Sequence, residues 1–140
     1  AICFSPDRKH AYFADTATQT IMRQALSRDD GWPEGAPELW LDFTHEDRHP
    51  DGAVVDTEGC VWNAQWGSSR IARYAPDGRF LSAIAFPTSQ ISCPAFGGGR
   101  LQTLFATSAA IGLKGRETQA GQSFRCDTAY QGQTEHRVVV

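Results

Sequence analysis

The segment His49-Pro50-Asp51-Gly52-Ala53-Val54-Val55-Asp56 carries the residues best arranged for chemistry. Pro50 has a restricted φ and no N–H to donate, while Gly52 can adopt dihedrals closed to other residues. Together they would hold Asp51 rigidly at the start of an inner strand. A carboxylate fixed in this way suits a hard cation, which prefers oxygen ligands. It also suits general-base work on a water that such a cation polarises. The same residue types make an ordinary turn, of which Pro76-Asp77-Gly78 is an example in this chain. On spacing alone, both readings of Asp51 stand.

The elements that must position Asp51 are strands. Helical periodicity is nearly absent, and short runs rich in β-branched and aromatic residues alternate with Gly, Pro, Asp and Asn turn signals. A first set of strands is expected at Ile2–Ser5, Ala11–Ala14, Thr20–Leu26 and Glu38–Phe43. A second is expected at Ala53–Asp56, Val61–Gln65, Arg70–Ala75 and Phe80–Phe86, and a third at Ile91–Phe96, Thr103–Thr107, Ser123–Asp127 and His136–Val140. The sets are weak copies of one another. Phe4-Ser5-Pro6-Asp7 leads to Ala11-Tyr12-Phe13-Ala14-Asp15, Val55-Asp56-Thr57-Glu58-Gly59 to Cys60-Val61-Trp62-Asn63-Ala64, and Phe96-Gly97-Gly98-Gly99 to Thr103-Leu104-Phe105-Ala106-Thr107. A repeat of about 40 to 50 residues is the period of a four-stranded propeller blade. The expected fold is therefore all-β, a β-propeller covered for about three blades, with blade-like units 1–48, 49–88 and 89–140. Three blades cannot close a ring and would leave strand edges and apolar faces open, so further blades are expected from preceding sequence, a partner chain covering the edges being the alternative. Ser27–Pro37 reads as a long turn and Ala109–Gly121 as a polar loop.

Composition sets the remaining bounds. The formal net charge of −3 gives no basic face for nucleic acid or an anionic membrane. No run approaches the roughly 20 apolar residues of a membrane span, and the opening residues do not read as a secretory leader. Cys3, Cys60, Cys93 and Cys126 show no Cys-x-x-Cys spacing, which argues against a zinc ribbon or a thioredoxin-like motif. They read as buried free thiols in a reducing cytoplasm, a catalytic thiol or a disulfide being the other reading. Asp7, Asp15 and Asp56 read as turn-capping carboxylates. Asn63 and Gln65 read as packing residues, with substrate contact as the alternative. His49 is a possible supporting partner of Asp51 or simply a solvated loop residue. The run His45-Glu46-Asp47-Arg48-His49 reads as a solvated connector, Ser92 and Cys93 as residues opening an inner strand, and Trp32, Trp40 and Trp62 as core or interface aromatics.

The pattern Pro50-Asp51-Gly52-Ala53-x-x-Asp56-x-x-Gly59-x-x-Trp62-x-Ala64 resembles the core signature of the gluconolactonase and regucalcin (senescence-marker protein) family of sugar lactonases. The resemblance continues through Gly67-x-x-Arg70-Ile71-x-Arg73-Tyr74-x-Pro76-Asp77-Gly78, Ile84-x-Phe86-Pro87, Cys93-x-Ala95-Phe96-Gly97-Gly98 and Leu104-Phe105-x-Thr107-Ser108-Ala109. Phe4-Ser5-Pro6-Asp7 and Tyr12-Phe13-Ala14-Asp15-Thr16 are similar to the family's fourth blade. The resemblance implies a six-bladed propeller, of which this is the C-terminal half, with one divalent cation (Ca²⁺, Zn²⁺, Mn²⁺, Mg²⁺ or Fe²⁺) at its centre. It implies Asp51 as metal ligand and catalytic residue, an Asn ligand immediately before Ala1, and a Glu ligand far upstream. The implied reaction is hydrolysis of a small sugar lactone to the aldonic acid. The cation polarises the carbonyl and Asp51 orients or deprotonates the attacking water. No Gly-x-Ser-x-Gly elbow is present. With one ligand of three, the fragment alone is expected to be inactive and to need the missing N-terminal half. The alternatives are a non-catalytic calcium-binding, regulatory propeller of the regucalcin type, and a relative acting on organophosphates or aryl lactones.

Overall fold

The computed structural model describes residues 1–113 and 115–134, and within them the chain is all-β. β1 (Ile2–Phe4), β2 (His10–Asp15), β3 (Thr20–Ala25) and β4 (Glu38–Asp42) form a four-stranded sheet in chain order. β5 (His49–Val55), β6 (Val61–Trp66), β7 (Arg70–Tyr74) and β8 (Phe80–Ala85) form a second in the same order. β9 (Ile91–Gly97), β10 (Thr103–Ser108) and β11 (Ser123–Asp127) form the third. All pairings are antiparallel. The expected strand His136–Val140 lies outside the described residues. The helical element among the described residues is a single 3₁₀ turn, Thr44–Glu46, and none of their helices is long and apolar enough to cross a membrane.

Turn chemistry explains the chain reversals. Gly59 (φ 82°) and Gly78 (φ 88°) close the Thr57-Glu58-Gly59 and Pro76-Asp77-Gly78 turns in a left-handed conformation that glycine adopts without penalty. Asp7 and Asp15 cap their turns as expected, accepting from Lys9 N (3.1 Å) and Ala17 N (2.9 Å). The polar loop beginning at Ala109 is closed at its base by Gly121 N donating to Ala109 O (3.1 Å).

The middle sheet is buried on both faces, which is why β6 lacks the alternation of a half-exposed strand. One face packs Val55, Val61, Ala72 and Tyr74 against Cys3, Tyr12, Ile21 and Phe43. The other packs Val54, Trp62, Ala64 and Ile71 against Ile91, Leu104 and Ala106. As a result β5, the first strand of the middle sheet, lies against both β1 and β9.

Three expectations are corrected. Trp40 and Trp62 are core aromatics, but the core reading fails for Trp32, which is 72% exposed on the loop that the Leu26↔Pro33 bridge ties off outside the sheets. Cys3 and Cys60 are buried, whereas Cys93 is exposed and Cys126 is half-buried, packed at the margin of the second core from the outer strand β11. His49 belongs to β5, not to a loop, and its ring nitrogens lie 3.3 Å from Thr16 O and 3.6 Å from an Asp47 oxygen.

Candidate metal centre

β5 begins at His49, earlier than its expected start at Ala53, so Asp51 lies inside the strand. Its aim is set by a break in register. Pro50 faces Gln65 and Ala53 faces Asn63, leaving Asp51 and Gly52 together opposite Ala64 alone. Two residues against one is a β-bulge, which bends the strand and redirects a side chain. The bulge is held from two sides. Thr16 Oγ1 donates to Pro50 O (2.8 Å), and Asn63 Nδ2 donates to both Asp51 O (3.1 Å) and Gly52 O (3.2 Å).

Gly52 permits the close approach of β9. A Cβ there would stand 2.5 Å from Ser92 O and 2.7 Å from Cys93 Cα, both backbone atoms of β9. The starts of β1, β5 and β9 therefore converge. The half-buried Asp51 carboxyl is pushed above the usual carboxylate range by burial, opposed by the Gly52 N–H. The Cys93 thiol is raised by burial first and then by the Asp51 charge. Among the described residues no side-chain donor bonds the Asp51 carboxylate. A desolvated carboxylate with open lone pairs fits a hard cation's oxygen-ligand requirement, as one ligand of a larger set.

The other carboxylate of the motif is spent differently. Asp56 is fully buried, and its oxygens accept from Glu58 N (3.0 Å), Cys60 N (2.9 Å), Trp62 Nε1 (2.9 Å) and Arg73 Nε (2.8 Å). Arg73 also pairs with Glu58 (2.6 Å) and lies 3.8 Å from the Tyr130 ring centroid. Asp56, Glu58 and Cys60 place ligand atoms within 4.8 Å of one another. The arginine already occupies the cationic position, so this cluster is a structural ion pair and not a metal site. Turn-capping by Asp56 holds, with the added task of neutralising Arg73.

Four features escaped sequence reasoning: the Asn63 clamp, the Thr16 tether, the pairing of Arg73 with Asp56, and Cys93 beside Asp51. Asn63 left a trace, being a polar residue between Trp62 and Ala64 in a strand with no exposed face. Gln65 is buried as expected, its amide donating to Tyr74 Oη (2.9 Å), and Ser92 pairs with Thr107 (2.9 Å).

A family model described as the SMP-30/gluconolactonase/LRE-like region matches residues 1–110. The chain belongs to this family. Within the SMP-30/gluconolactonase family it is 42% identical over 108 residues to a 6-deoxy-6-sulfogluconolactonase of Pseudomonas putida, covering 76% of this chain and 36% of that protein. It is 37% identical over 142 residues to an L-arabinolactonase of Azospirillum brasilense, covering 98% of this chain and 46% of that protein. The crystal structure of a calcium-binding protein, regucalcin, from Agrobacterium tumefaciens str. C58 superposes with a TM-score of 0.91 at 37% identity, over 96% of this chain and 47% of that one. The chain thus spans about half, or less, of the length of these relatives. Lactone hydrolysis is a named activity among its relatives, and an all-β architecture is shared with the regucalcin.

Proposed function

We propose that this chain is the C-terminal half of a six-bladed propeller that hydrolyses a small sugar lactone with one divalent cation, and that Asp51 is the ligand and catalytic carboxylate it supplies. Units 1–48, 49–88 and 89–140 are its blades in this reading. The observation that carries it is Asp51 itself: a half-buried carboxylate, aimed by a bulge, without a side-chain partner among the described residues, where three inner strands converge. β1 packs against β5, so a residue immediately preceding Ala1 would approach the Asp51 end of that strand. That is where the expected Asn ligand belongs; the Glu ligand and most sugar contacts would come from the other half. The lactonase names of the relatives support the reaction class.

The bound cation would supply Lewis-acid polarisation of the lactone carbonyl. Asp51 orients the attacking water, takes its proton as the water oxygen bonds the carbonyl carbon, and passes that proton to the ring oxygen as its bond to the carbonyl carbon breaks, leaving the hydroxy acid. Partial burial strengthens both roles, since the charge is less screened than on an open surface. The fragment alone, with one ligand, is expected to be inactive. The absence of a disulfide among the described residues supports a cytoplasmic setting. A second reading, a calcium-binding regulatory propeller, is favoured by the likeness to the regucalcin.

The deciding experiment is lactone hydrolysis by the full-length protein with a panel of divalent metals, comparing Asp51→Ala with the unmutated protein. Metal-dependent activity that collapses in the variant supports the lactonase. Metal binding through Asp51 without lactone opening transfers the case to the regulatory reading. Independence of both from Asp51 rejects the site.

A further inference from the structure

Asn63 is fully buried on the face of β6 that packs against the first sheet, among aliphatic and aromatic side chains. Its two ends are treated differently. Nδ2 donates to the carbonyls of Asp51 and Gly52, the residues of the bulge, while Oδ1 is buried with no hydrogen-bond partner. An aliphatic residue of the same shape would fill the space without an unmet acceptor. Packing therefore does not account for an amide at this position, and its donor end does. The bulge breaks the β5–β6 ladder at Asp51 and Gly52, and carbonyls freed from a ladder need other donors.

Building on the reading of Asp51 as a cation ligand, we infer that Asn63 is the positioning residue for Asp51, clamping the bulge through two main-chain carbonyls so that the carboxylate faces the convergence of β1, β5 and β9. Asn63 touches neither substrate nor cation. It acts through the backbone, and the Gly52–β9 contact and the Thr16 tether act on the same segment from other sides. Loss of the clamp leaves the carboxylate in place chemically but frees its direction.

The test uses the full-length protein with Mn²⁺ as probe. Asn63→Leu keeps the shape without donors, Asn63→Asp opposes a carboxylate to the two carbonyls, and Asn63→Ser leaves room for a water to donate in its place. Mn²⁺ affinity, thermal unfolding, and hydrogen exchange of residues 49–56 in the metal-free protein are measured for each, with Asp51→Ala alongside. Removing a group that orients a ligand typically weakens metal binding by about 10- to 100-fold. That loss is expected for Leu and Asp, with a smaller one for Ser, together with faster exchange confined to 49–56 and a Leu variant no less thermostable than the parent. If Asp51→Ala abolishes Mn²⁺ binding while all three Asn63 variants bind within twofold of the parent and exchange as it does, Asn63 is a packing residue and the inference is wrong. If Asp51→Ala itself leaves Mn²⁺ binding intact, the reading of Asp51 falls and the inference with it.

Discussion

Gly52→Ala is the sharpest probe of how β5 and β9 hold the candidate centre together. The added methyl would lie 2.5 Å from Ser92 O, and ordinary contact begins near 3.4 Å, so the two strands must part by roughly 0.9 Å. The obstacle is main chain on a strand with its own ladder to β10, so no side-chain rotation relieves it. Overpacking of this kind costs about 1–3 kcal/mol, which corresponds to a fall in Tm of roughly 1.5–5 °C in a full-length protein about twice as long as this chain. A displacement near 1 Å at a reacting group lowers turnover by about a hundredfold. The assay is thermal unfolding with metal titration and lactone turnover on the full-length protein. Gly99→Ala serves as control, because a methyl there meets nothing within 4 Å. A Gly52→Ala protein with the parent's Tm and metal affinity would refute the claim that close β5–β9 approach positions Asp51.

Other outcomes follow from the same structure. Asp56→Ala removes the buried partner of the Arg73 guanidinium, whose side chain is 5% exposed, and leaves it the exposed Glu58 carboxylate alone; with the Trp62 and turn N–H donors also unmet, it is expected to destabilise by about 2–4 kcal/mol in chemical denaturation, and a loss under about 1 kcal/mol would contradict the buried-pair account. The Glu117 carboxylate accepts from Thr88 Oγ1 (2.6 Å) and Ser89 N (2.7 Å), and these bonds, the Thr88 hydroxyl foremost, lower its pKa. A lowered folded-state pKa means the tether's contribution is complete above the ordinary glutamate range and is lost as pH falls through the folded value. Hydrogen exchange near Thr88 and Ser89 should therefore quicken on acidification in the parent but stay pH-insensitive, after correction for intrinsic rates, in Glu117→Gln. The Cys93 thiol is held up by burial and by Asp51, so Asp51→Asn should accelerate its alkylation at mildly alkaline pH, read by mass spectrometry, while buried Cys60 stays unlabelled in both proteins. Equal Cys93 rates in parent and variant would mean the two groups do not face each other.

Much of the strand pattern was legible because its causes are local. Runs of β-branched and aromatic residues and turns such as Pro76-Asp77-Gly78 depend on neighbours a few positions away, and the strand from Ser123 to Asp127 falls where the pattern puts it. Family membership was legible for a related reason: ordered short motifs survive where overall identity is modest. Asp51 was named from its motif. What set it apart from Asp56, five positions on in the same motif, was not local.

The amino-acid sequence by itself determined an all-β chain of repeated strand sets, its family, and a short list of carboxylates. Tertiary structure decided which carboxylate is available. The β5–β6 register shift that aims Asp51, the Asn63 amide reaching back to Asp51 and Gly52, and the β9 backbone against Gly52 each join residues distant in sequence. So does the delivery of Arg73 to Asp56, which consumes that carboxylate. Register and inter-sheet approach are properties of whole strands packing together, and no window of a few residues contains them.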